Sequence, residues 1–71
     1  MSLWVSNKAV TNSGIRYDLF DGTAPAGTVT VNFHQKRQWW RAQGTDGLLV
    51  NSELIRRAMY AAVRKFDAAI G

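Results

Sequence analysis

The sequence predicts an α+β fold: a four-stranded antiparallel β-meander, with one short apolar run as a candidate fifth strand, followed by a C-terminal amphipathic helix packed on one face of the sheet. Three observations carry this. Apolar and polar residues alternate from Ile15 to Leu19 and again from Thr28 to Phe33, the period of half-buried strands. Short Gly-, Asn- and Ser-bearing segments interrupt the apolar stretches, as strand reversals do. From Ser52 onward the apolar residues recur at helical spacing instead.

Taken in order, Leu3 to Val10 reads as a first strand whose inward face the pattern leaves open, and Thr11-Asn12-Ser13-Gly14 as a turn. Ile15, Tyr17 and Leu19 form the inward face of a second strand that Asp21-Gly22 ends. Thr23 to Gly27 holds the sole Pro and is expected to be a connecting loop. In the third strand Val29, Val31 and Phe33 face inward. His34-Gln35-Lys36-Arg37 suits a hairpin tip, and Gln38 to Gln43 a fourth strand with Trp39 and Trp40 on opposite faces.

Gly44-Thr45-Asp46-Gly47 is a further turn, and Leu48-Leu49-Val50 either a fifth strand or the lead-in to the helix. Asn51 or Ser52 can cap that helix, and Glu53 lies in its first turn, where the dipole favours an acid. At 100° per residue, Ile55, Ala58, Met59, Ala62, Val63, Phe66, Ala69 and Ile70 fall in an arc of about 140°, the expected core stripe. Arg56, Arg57, Tyr60, Arg64 and Asp67 are placed on the opposite side. No repeat or linker divides residues 1–71, which read as one small domain.

The 71 residues contain no Cys, so neither disulfides nor thiolate metal sites are expected, and the chain is read as cytoplasmic. Its single His and scattered acids lack metal-ligand spacing, and no nucleophile elbow or phosphate-cradling loop occurs. The expectation is a non-enzyme without cofactor or metal, and without a membrane span. Nine Lys and Arg against five Asp and Glu give a net charge of +4 and a pI near 10.1. That surplus attracts polyanions weakly.

The segment from Asn32 to Gln43 concentrates Lys36, Arg37 and Arg41 beside two Trp residues with no acid. Cations there can pair with phosphates while an exposed ring, assigned to Trp40, stacks a base. Arg16 extends the track. Arg57, Tyr60 and Arg64 share one helical strip as a second basic surface, although such a strip can equally be a solvated helix face.

The meander followed by one helix, together with Gly47-Leu48-Leu49-Val50-Asn51-Ser52-Glu53 at the passage from strand to helix, resembles the single-stranded DNA-binding domains of the positive cofactor four type. That resemblance implies a dimer holding single strands on a basic, aromatic β-surface. Independently, four strands span about 15 Å while one helix covers about 10 Å. Apolar sheet surface should therefore stay open, to a second copy as a homodimer or to another partner. Two functions compete: a nucleic-acid-binding module built on the Trp-bearing hairpin, and a small protein-interaction module, such as an inhibitor, adaptor or assembly component of viral or mobile-element type.

Overall fold

The structure is a computed structural model describing residues 2–34 and 37–70, with the backbone alone at His34, Arg37 and Gln38. In chain order it comprises β1 (Leu3–Thr11), β2 (Gly14–Asp21), β3 (Ala24–His34), β4 (Arg37–Gln43) and α1 (Glu53–Ile70). The strands lie side by side as β1-β2-β3-β4 with every neighbouring pair antiparallel. The α+β meander read from the sequence is therefore the observed architecture.

The candidate fifth strand reduces to one bridge, Gln43 opposite Leu49. Val50 N–H donates to Ala42 O at 2.9 Å and Gly44 N–H to Leu48 O at 3.0 Å. The pairing stops there because Ser52, two residues on, already caps α1: its Oγ accepts from Ile55 N–H at 3.3 Å.

The loop expected at Thr23 to Gly27 is also corrected, since β3 begins at Ala24. Asp21 pairs with Ala24 across a two-residue turn, and Gly22, with φ of +62°, occupies the position where a type II′ hairpin turn requires Gly. The pairing jumps from Leu19–Gly27 to Phe20–Pro25, leaving Ala26 as an extra residue. Pro25 is tolerated close to the strand's start, at that irregularity. Gly27, at φ +135°, lies so close to Gln43 O that a Cβ would collide with backbone.

A second irregularity, between Ser6 and Ala9 in β1, settles the face that the sequence left open. Val5 is buried under α1. Asn7 takes a φ of +56° and turns to the helix-free side, where its Nδ2 donates to Asp18. Lys8 then falls on the helix side, its ammonium reaching Asp67.

Val5, Tyr17, Leu19, Val29, Val31 and Ala42 from the sheet meet Met59 and Val63 of α1 in the core. The predicted helical stripe is right at its centre and wrong at its ends: Ile55 is 38% and Ile70 63% exposed, and Ala69 is exposed as well. The buried residues of the 18-residue helix are Met59 and Val63 near its middle, so apolar residues in its first and last turns stay in water. Tyr60 and Asp67, predicted to face away, turn towards the sheet.

Met59→Ala is expected to lower unfolding free energy by about 2 to 5 kcal/mol, and Ile55→Ala by about 1 kcal/mol or less. Urea denaturation compares the two, and equal losses would contradict this rotation of α1.

Candidate nucleic-acid interface

Because one helix lies on one side, the sheet has a core face and an open face, and residue parity assigns each side chain of β4. Trp40 and Ala42 pair with Val31 and Val29, whose side chains are core, while Trp39 and Arg41 pair with Asn32 and Thr30 on the open side. The two Trp residues thus do lie on opposite faces. The ring that shares the open face with Arg41, however, is Trp39, at 54% exposure. Trp40 stands on the helix side, edge-on to Tyr60 with ring centres 5.2 Å apart. The sequence held the signal: Arg41 must face water, and Trp39, two residues earlier, shares its side.

Register places the cations as well. Arg16 pairs with Thr30, and Thr30 in turn with Arg41, so two guanidinium groups flank Thr30 in one row from strands about 10 Å apart. Arg16 also meets Asp18 at 3.5 Å, an exposed and therefore weak pair. Among the described residues Arg41 has no carboxylate partner. It borders two hollows: one beside Asn32, Trp39 and Trp40, and one between β4 and α1 that also includes Arg56 and Tyr60. Arg56 is thus a cation of the β4 edge that the helical projection had put elsewhere. Lys36 and the side chain of Arg37 lie outside the described residues; the Arg37 backbone closes β4 opposite His34.

The proposed strip Arg57, Tyr60, Arg64 is not one surface. Tyr60 packs against Trp40, Arg57 is held by Glu53 at 2.8 Å, and Arg64 is exposed by itself. A feature that sequence reasoning did not single out lies at the opposite corner of the open face. Trp4 and Phe20, paired across β1 and β2, stack with ring centres 4.6 Å apart and planes 21° from parallel. The Trp4 indole N–H donates to Gly22 O at 2.6 Å.

On the core face, a polar cluster ties α1 to the sheet. Tyr17 Oη donates to Asp67, 2.9 Å from Oδ2 and 3.1 Å from Oδ1, and Lys8 Nζ donates to the same carboxylate at 3.0 Å. The Lys8 ammonium also lies 5.6 Å from the Tyr17 ring centre. The hydrogen bond to Asp67 raises the Lys8 pKa above its ordinary value. Burial, then the bond to Asp67, raises that of Tyr17. Among the described residues no three His, Asp or Glu side chains converge as metal ligands, and no helix is long and apolar enough to cross a membrane.

Comparison with protein-family models, curated proteins and solved structures finds no match to this chain. The likeness noted at Gly47 to Glu53 therefore assigns no family.

Both raised pKa values act in one direction. Lys8 and Tyr17 hold their protons more tightly when folded, so their contribution is complete below about pH 10 and is lost as pH rises through the folded values. Urea midpoints should fall above about pH 10, and Tyr17→Phe should flatten that fall; an unchanged alkaline profile in the variant would show that the cluster does not couple to folding.

Proposed function

We propose that this chain is a non-enzymatic nucleic-acid-binding module whose interface is the open face of the sheet at β4. The observation that carries the reading is an exposed Trp39 ring in register beside Arg41, with Arg16 across Thr30 in the same row. Guanidinium groups neutralise phosphates, and an indole offers a face on which any base can stack, worth about 1 to 3 kcal/mol per base. The net charge of +4 supports the same reading. Arg56 extends the cationic surface along the β4 edge, and Lys36 and Arg37, named from the sequence alone, belong to the same proposal.

A second reading, a protein-interaction module, is favoured by a different observation. On the helix side, along the row Val10–Ile15–Val31–Trp40 and at Phe33 beyond it, Val10 is 68% exposed and Phe33 and Trp40 are partly exposed, Trp40 despite its contact with Tyr60. Such an apolar end suits a protein partner or a second copy of the chain, which would make the module a homodimer. The two readings separate by salt, because phosphate contacts weaken steeply with ionic strength and apolar contacts do not.

Titration of tryptophan fluorescence with an oligonucleotide should give a log–log salt slope of about −2 to −4 for three to five phosphate contacts. Trp39→Ala and Arg41→Ala should each weaken binding about ten-fold, within the range known for stacked bases and charged contacts, while Arg57→Ala changes it little. A salt-independent affinity, or a dominant loss at Arg57, would move the site off the open face.

A further inference from the structure

We infer that the Trp4–Phe20 pair is a second base-stacking station, so that the ligand of the open face is one unpaired nucleic-acid strand lying diagonally from Trp39, past Arg41 and Arg16, to Trp4. This rests on the reading of the open face as a nucleic-acid interface.

The pair is built as a platform. Phe20 supports one face of the Trp4 indole at 4.6 Å, and the bond to Gly22 O fixes the ring's direction and satisfies its only donor. What remains available is π-surface, and Trp4 stays 45% exposed. A ring held in place loses little freedom when a base stacks on it. The pair lies on the side of the sheet away from α1, so burying the core does not account for that exposed surface.

The path between the two stations has the charge that a phosphate chain requires. Arg41 and Arg16 lie between the two corners, with Thr30 and Thr28 on the floor. The two carboxylates bordering the path are engaged within the chain. Asp18 accepts from Arg16 and Asn7, and Asp21 accepts from Ser2 N–H at 2.9 Å.

Geometry chooses the single strand over the duplex. Trp39 shares a row with Asn32 and Gly14, and Trp4 a row with Phe20. The stations are thus three strand spacings apart in one direction and six residues of β2 apart in the other, about 14 Å by about 20 Å, a diagonal of about 25 Å. In a duplex the base faces between such points are covered by their neighbours, and the rigid helix cannot offer two of them to rings that far apart on one face of a sheet. An unpaired strand can splay its bases onto both rings. At the stacked rise of about 3.4 Å per nucleotide the diagonal corresponds to about seven nucleotides, fewer for a stretched strand.

The test uses the full chain with Trp39→Phe and Trp40→Phe, which leaves Trp4 as the sole tryptophan and retains an aromatic ring at each replaced position. Dodecamers of deoxyuridylate and of uridylate, which differ only in the 2′-hydroxyl, are titrated separately, with a duplex of the same length beside them. Trp4 emission should be quenched by at least one single strand and not by the duplex, and the tighter of the two names the sugar that is recognised. In the otherwise unaltered chain, Trp4→Ala should weaken dodecamer binding about ten-fold, and Trp4→Phe should restore most of it. Single strands that quench Trp39 and Trp40 in the native sequence but leave Trp4 silent overturn the second station while the β4 interface stands, and quenching of Trp4 by the duplex overturns the single-strand assignment. No binding of any oligonucleotide to the native sequence removes both proposals.

Discussion

A sheet of four strands has two faces, and this chain supplies one helix. That imbalance governs the molecule. Burial of Val5, Tyr17, Leu19, Val29, Val31 and Ala42 beneath Met59 and Val63 uses the apolar residues that the strands present on one side. The other side must be stable in water by itself, and its Thr, Asn, Arg and Asp residues make it so. Aromatic rings on such a face stand out against a polar background, and among the described side chains Trp39 and the Trp4–Phe20 stack are the two places where they occur.

The position of α1 on the sheet has two separate causes. Near the middle it is apolar packing, which has no strong directional preference. Towards the C-terminal end it is directional: Asp67 accepts from Tyr17 and Lys8 at once, which fixes the helix over the β1–β2 side. One end of the core face, the row from Val10 to Trp40 with Phe33 beyond it, is left thinly covered. The open face and this end are different surfaces with different chemistry, one cationic and aromatic, the other apolar.

Most of the architecture was legible in the residues. Alternation in β2 and β3 named the core positions Tyr17, Leu19, Val29 and Val31, and the helical period named Met59 and Val63, because a two-sided environment writes itself directly into polarity. What was hidden depended on contacts across the chain. The bulge at Asn7 inverts the parity of β1, and the extra Ala26 carries β3 back to a residue next to Pro25. Asp67 reads as a solvent residue on a helical projection until Tyr17, fifty positions earlier, is set beneath it. At the candidate site, Arg16 and Arg41 were named from sequence and register then brought them into one row. The choice between Trp39 and Trp40 was missed because both are large rings, although their polar neighbour Arg41 distinguishes them. Trp4 and Phe20 are sixteen residues apart and meet only through strand pairing.

The bulge in β1 has an effect at the outer margins of the sheet. An irregular strand with a left-handed residue and an inward-pointing ammonium makes a poor template for another strand, so the β1 margin is closed to lateral growth. At the far margin, Ala42 and Gly44 spend outward-facing groups on Val50 and Leu48. By the alternation of antiparallel ladders, Trp40 and Gln38 then direct their amides and carbonyls away from β3. The sheet is therefore polar in a topological sense: it can be lengthened by an additional strand from one flank only, over a stretch of a few residues, and that flank is the one that bears Trp39 and Trp40.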